Sequence, residues 1–194
     1  MDKAQAAGDL SQALSHETTQ GIANEIDLAI AGVVTDTQAQ KLYGTVPKVV
    51  SGTAGSGEKN VLEVLDEAQQ KLYEANVPTT EYVEVIMSPR FYTLFRREYT
   101  KLDTNNSEIL KNGKVGMYGN MTVKLSNNVQ TAANGAQDLI MVRTKKAIAA
   151  AKTLSKVEAY RPEKGFDDAV KGLTVHDRKL VRPKELVVVN VKYA

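Results

Sequence analysis

The chain has no cysteine and no tryptophan, and only two histidines, among its 194 residues. Without sulfur nucleophiles or ligands, thiol catalysis, disulfide frameworks, Cys-ligated zinc and iron–sulfur clusters are all excluded. With His16 and His176 as the only imidazoles, a multi-His metal site within one chain is excluded too. Long apolar runs are also lacking. Leu28–Val34 (LAIAGVV) and Leu186–Val189 (LVVV) fall far short of the ~18 residues that span a bilayer. The opening MDKAQAAGDL has no apolar h-region, so it does not read as a secretory signal. What is present is ordinary globular composition, 42% hydrophobic and 25% charged, enough for one large domain or two small ones.

The net charge of +2 hides an asymmetry. Residues 1–80 carry 5 Lys/Arg against 11 Asp/Glu, a net of −6, and residues 81–194 carry 20 against 12, a net of +8. The basic half forms no stripe of the kind nucleic-acid binding uses. Its cations are interleaved with Glu84, Glu98, Asp103, Glu158, Asp167 and Asp168, which reads as solvated faces and subunit contacts.

Apolar residues at three- and four-residue steps from Leu10 to Val33 predict a helix over 9–34, with Asp9 as N-cap. Unbroken, it would be about 35–40 Å long at 1.5 Å per residue, a spine against which other elements lie. An extended patch at Lys48–Val50 follows, then the loop SGTAGSGEKN and a helix over 58–76 with Val61, Leu65, Ala68, Leu72 and Ala75 inward and Pro78 as its stop. Tyr82–Met87 alternates as a strand. Ser88–Pro89 then gives an N-cap with proline at the first helical position, opening a helix that carries Phe91, Tyr92, Leu94, Phe95 and Tyr99. This helix–strand–helix unit is the expected core of one subdomain. Residues 103–120 are rich in turn formers, and strands are expected at Met121–Leu125 and Leu139–Arg143. From Thr153 onward β signals dominate, while Ala147–Ala151 fits helix or strand.

Several groups invite a chemical reading. Gly52 and Gly57 have the spacing of a phosphate-binding loop ahead of a helix. Such a loop needs Lys directly after the second Gly and then Ser or Thr, whereas here Glu58 intervenes and Asn60 replaces the hydroxyl. A flexible connecting loop fits better. His176 and Asp177 are adjacent on an expected strand and so point to opposite faces, and His16 lies on the first helix. The carboxylates Glu63, Asp66, Glu67 and Glu74 fall on an exposed helix face, and Asp167–Asp168 sit in a turn. None of these sets supplies a pocket that would tune a catalytic pKa.

The order of elements carries a resemblance. A long helix ends in Asn24–Val34, followed by a Gly/Ser loop, a helix, an alternating strand and the helix start Ser88–Leu94 (SPRFYTL). Lys111–Gly119 (KNGKVGMYG), a strand and the Ser126–Asn128 loop come next. The chain closes with Val157–Arg161, Gly165–Gly172 and Arg182–Val189. This resembles the tailed-phage major capsid proteins of the HK97-like fold. The resemblance implies an α+β subunit in two parts: a peripheral β-rich domain with a spine helix over 1–42 and 150–183, and an axial α/β domain over 43–149 and 184–194. It further implies a structural subunit, not an enzyme, that assembles with copies of itself into the pentamers and hexamers of an icosahedral shell around packaged DNA. No cofactor or metal is implied. Scaffolding protein and non-specific contact with DNA would be its further partners, a membrane would not, and its place would be the virion capsid, assembled in the bacterial host cytoplasm. Family members carry an N-terminal arm and an extended hairpin loop before the spine helix; with the expected helix opening close to Met1, the resemblance implies a core without either, which assembles poorly alone. The turn-rich segment, with Asn105, Asn106, Gly113, Gly116 and Gly119, is the candidate loop at a symmetry axis, because close approach there favours glycine. Two alternatives stand beside this: an encapsulin-type shell of a cellular compartment, and a nucleotide-binding enzyme using Gly52–Lys59.

Overall fold

The computed structural model describes residues 2–46, 57–101, 116–160, 163 and 169–193. The expected Lys48–Val50 patch, most of the Gly-rich loop, the turn-rich stretch up to 115 and Asp167–Asp168 lie outside the described residues. Among the described residues, three α-helices and nine strands run in the order α1 (Asp2–Ala31), β1 (Gln40–Val46), α2 (Val61–Glu74), β2 (Val83–Met87), α3 (Pro89–Lys101), β3 (Met117–Tyr118), β4 (Met121–Leu125), β5 (Thr131–Ala132), β6 (Gln137–Thr144), β7 (Ile148–Tyr160), β8 (Ala169–Leu180) and β9 (Leu186–Tyr193). They divide into two compact units, Met1–Ile30 with Ala150–Lys179, and Ala31–Ala149 with Leu180–Ala194.

The second unit is built on a mixed seven-stranded sheet of order β1-β9-β6-β2-β4-β3, with β5 on the side of β6. β1 runs parallel to β9, and β2 parallel to β4, while β6 is antiparallel to both β9 and β2. Alternation sends Val83, Val85 and Met87 to one face together with Met121, Ile140, Val142, Val187, Val189 and Val191. There they meet Val61, Val64, Leu65, Ala68 and Leu72 of α2 and Phe91, Leu94 and Phe95 of α3 in one buried cluster. The expected helix–strand–helix core is therefore present.

Helix boundaries follow from their caps. Asn60 accepts from the Leu62 amide at 3.0 Å while Glu63 reaches back to the Asn60 amide at 3.1 Å, which starts α2 at 61. Ser88 Oγ accepts from the Phe91 amide at 3.2 Å and Pro89 takes the first helical position of α3, as the sequence foresaw. Asp9 is a correction: it lies inside α1, not at its cap, because Asp2–Gly8 contains good helix formers that carry the helix to residue 2. Periodicity missed β1, since QKLYGTV reads as a polar connection, and it also missed the two-residue strands β3 and β5, which lie in stretches read as turn or loop. Gly44 in β1 approaches α2 so closely that a Cβ would lie 3.0 Å from Val64 Cγ2.

In the first unit, the 30-residue α1 accompanies the two-stranded ribbon β7–β8. The ambiguous Ala147–Ala151 stretch resolves into strand from Ile148. Of the described α1 side chains between His16 and Ala31, the most sheltered are Ile22, Ile26 and Ala29–Ala31, and even these are only half-buried. No helix among the described residues is long and apolar enough to cross a membrane.

Candidate functional site

Of the five residues expected at a symmetry axis, Asn105, Asn106 and Gly113 lie outside the described residues, and Gly116 and Gly119 lie at the segment's exit. That exit is firmly rooted. The Val123 amide donates to the Gly116 carbonyl at 3.0 Å, which starts the β3–β4 hairpin. Gly119 turns the hairpin at φ 55°, a left-handed conformation that favours glycine. Asn120 Nδ2 ties the turn to the Thr79 carbonyl at 2.6 Å. Tyr118 stacks edge-on against Phe95 and Tyr99 at ring distances of 5.5 and 5.8 Å, and its hydroxyl donates to Asp66 Oδ1 at 2.9 Å. Since Tyr99 precedes residues 102–115 and Tyr118 follows them, the two roots of that segment are clamped together. Burial, and then the hydrogen bond to Asp66, push the Tyr118 phenol well above its ordinary range. Beyond the clamp, Met117 is exposed.

The phosphate-loop reading fares differently. Lys59 Nζ is engaged by Glu67 at 2.5 and 2.7 Å, and Asn60 is consumed by the α2 cap. Asn60 Nδ2 also reaches Glu98 Oε2 at 3.3 Å. Among the described loop residues, cation and amide serve the helix start. His16 and His176 stand on different elements, α1 and β8, and His176 is half-buried where Asp177 is exposed. No group of three or more His, Asp or Glu that could hold a metal ion is found among the described residues. The helix carboxylates read as solvated, Glu63, Asp66, Glu67 and Glu74, all have named partners, Glu74 accepting from Gln70 Nε2 at 2.8 Å.

Sequence reasoning missed three polar clusters. Glu84, expected on a solvated face, is 1% exposed at the centre of the sheet, on the side away from α2 and α3. It is held by Lys124 at 2.5 Å and Arg143 at 2.6 Å, from the two strands that flank β2. Buried Asp138 accepts from Ser88 Oγ and from the Tyr193 hydroxyl, so one carboxylate joins the α3 cap, β6 and the last strand. Arg90 lies 3.7 Å over the Tyr193 ring. Burial, then the bond to Asp138, push the Tyr193 phenol up. Thr144 and Arg182 both donate to Glu185. Burial alone would raise the Glu185 carboxyl, but these donors outweigh it and hold it below its usual range. The only advance signal was a charged or hydroxyl residue inside an apolar strand, because partners 40 or more positions away cannot be read from spacing. All three clusters tie strands and helix ends together and place no reactive group in an open cleft.

A mixed sheet with two helices on one face, plus a separate unit of one long helix and a long β-ribbon, is the HK97-like capsid fold. The solved structures agree. A chain of Mycobacterium phage Che8 matches with a TM-score of 0.75 at 23% identity, over 92% of this chain and 62% of that one. The capsid structure of the cyanophage P-SCSP1u matches with a TM-score of 0.68 at 15% identity, over 94% and 66%. The asymmetric unit of the bacteriophage PhiM1 mature capsid matches at 0.61 and 15% identity, over 93% and 64%. The chain thus spans between 62% and 66% of the length of these three. No protein-family profile and no curated protein matches the sequence.

Proposed function

We propose that the protein is a structural subunit of a phage or prophage icosahedral capsid, and that these 194 residues supply its core. The observation that carries this is the fold likeness to phage chains over more than nine-tenths of the sequence, with TM-scores from 0.61 to 0.75. On this reading the α1–ribbon unit is the peripheral domain and the seven-stranded unit the axial domain, and the clamped segment between Tyr99 and Tyr118 reaches a symmetry axis. Its partners are copies of itself in pentamers and hexamers. Scaffolding protein and packaged DNA make non-specific contacts, and assembly takes place in the host cytoplasm. The surface suits this. Tyr43, Met117, Leu125, Leu173 and Val175 are exposed large apolar side chains of the kind subunit contacts cover.

Mass spectrometry of particles purified from cells expressing the gene in its native context tests the reading. The protein is expected as the most abundant component of DNA-containing particles. Its absence from them, or its presence only in DNA-free shells around a cargo enzyme, overturns the phage assignment, the second result in favour of the compartment shell. The enzyme alternative is tested by calorimetry with ATP and Mg²⁺, where no saturable binding is expected.

A further inference from the structure

An open pocket of about 90 Å³ lies within the first unit, between α1 and the ribbon. Its size falls between the ~10–15 Å³ that one water needs and the ~150 Å³ that admits a benzene ring, which suits one aliphatic side chain. The helix side is formed by Ile26, Ala29 and Ile30, and the ribbon side by Ala150 and Ala151. Lys152 and Arg178 stand at it as cations, against the single acid Asp177.

The opposite side of α1 carries the complement. At ~100° per residue, Leu28 points nearly away from Ile26, Ala29 and Ile30. It is 41% exposed and flanked by the exposed carboxylates Glu25 and Asp27. These acids sit toward the helix C-terminus, where the macrodipole is already negative, and the last turn holds no basic residue. Among the described residues, no ion pair engages Glu25, Asp27, Lys152 or the Arg178 guanidinium. Each copy therefore presents an acid-flanked leucine on one side of its spine helix and a cation-flanked apolar pocket on the other. The rival knobs fit worse. Leu173 and Val175 share a face of β8 with Lys171, Asp177 and Lys179, a face of mixed charge that offers no excess of acid to the cations at the pocket.

We infer that Leu28 of one copy seats in the α1–ribbon pocket of a second copy, with Glu25 and Asp27 of the first facing Lys152 and Arg178 of the second. The contact is heterologous: knob and hole lie on different patches, so it propagates from copy to copy instead of stopping at a dimer. Choosing a second copy as occupant rests on the shell-subunit reading.

The absence of native cysteine makes the contact testable by disulfide trapping in the full chain. Leu28→Cys protein is mixed with Ala150→Cys or Ala151→Cys protein under mild oxidation, with folding of each checked by circular dichroism. Linked dimers are expected in at least one mixture, and not from any variant alone or from Leu173→Cys with either pocket variant. A chain carrying both Leu28→Cys and the productive pocket cysteine is expected to give a ladder of dimers, trimers and higher forms. Arg178→Glu in the pocket partner is expected to abolish linkage, and Glu25→Arg in the Leu28→Cys partner to restore it. Oligomers with no Leu28–pocket linkage, or with only same-variant linkage, overturn the contact and leave the shell reading standing. Linkage without shells in any setting supports the contact and counts against that reading, while the absence of any self-association overturns both.

Discussion

Glu84 has both carboxylate oxygens occupied, by Lys124 and by Arg143, while only 1% of the residue meets solvent. Taking Arg143 away leaves Glu84 with Lys124 as its one counter-ion and with one buried carboxylate oxygen unsatisfied, at a cost of about 1–3 kcal/mol. Replacing both members of a buried ion pair by apolar residues of like size is often neutral. Arg143→Met is therefore expected to lower the urea midpoint sharply, and Glu84→Met together with Arg143→Met to recover most of the loss. Glu185 makes a prediction in pH. Its folded carboxyl titrates below the ordinary value near 4.5, so its contribution is fully present above that value. The contribution is lost as pH falls through the lowered native value. Comparing urea midpoints at pH 7 and pH 3, the Glu185→Gln chain is expected to show a smaller drop than the parent. The tyrosines run the other way. The raised pKa of Tyr118 and Tyr193 gives a contribution that is present below pH 10 and lost as pH rises through the native values. In an alkaline titration followed by phenolate absorbance, these two are expected to ionise above the ordinary tyrosine range. At this scale the legible features were local. Ser88 could be read as a cap because its partner amide is three residues away. Glu84 could not be read as a buried ion, because its partners arrive only when β4 and β6 pair with β2.

Among the elements, α2 and α3 were legible because each has an apolar stripe and a cap within one turn of its start. β1 was not, because its identity depends on what it touches. Gln40–Val46 is held on one edge by β9 in parallel register, and Gly44 admits Val64 from α2 so closely that even a Cβ there would press on the valine methyl at 3.0 Å. Gly44→Val is expected to cost about 1–3 kcal/mol by overpacking, despite valine's better strand propensity. Val64→Ala costs stability alone, yet placed with Gly44→Val it is expected to return part of the loss. The coupling from a double-mutant cycle by urea denaturation would then depart from additivity by more than ~0.5 kcal/mol. Additive effects would show that strand and helix do not meet there. The start of α1 went unread for a related reason. Asp9 looked like a cap because apolar periodicity begins after it, but good helix formers before it carry the helix on without an apolar stripe.

For the whole molecule, the contrast between the two units sets the pattern of local stability. The seven-stranded unit surrounds Val85, Phe91, Phe95, Ile140 and Val189 completely, whereas along the described part of α1 the best-sheltered side chains are only half-buried and Leu173 and Val175 of the ribbon are exposed. A segment opens at a free energy set by the apolar contacts it must break, so the two units should open at different levels. Native-state hydrogen exchange is expected to show the amides of β2, β6 and β9 exchanging only through global unfolding, and those of α1 between His16 and Ala31 exchanging earlier, by sub-global opening. Denaturant should separate them, with a steep dependence for the central strands and a shallow one for α1. The same measurement bears on assembly. If α1 is buried by a neighbour through Leu28, protection should rise in α1 on assembly and stay unchanged in β6, whose core neighbours are supplied by its own chain. Equal protection in both units of the isolated chain would mean that α1 needs no second copy to be stable. The sparse burial of the spine helix would then reflect a helix held by its own backbone hydrogen bonds, not one awaiting a partner.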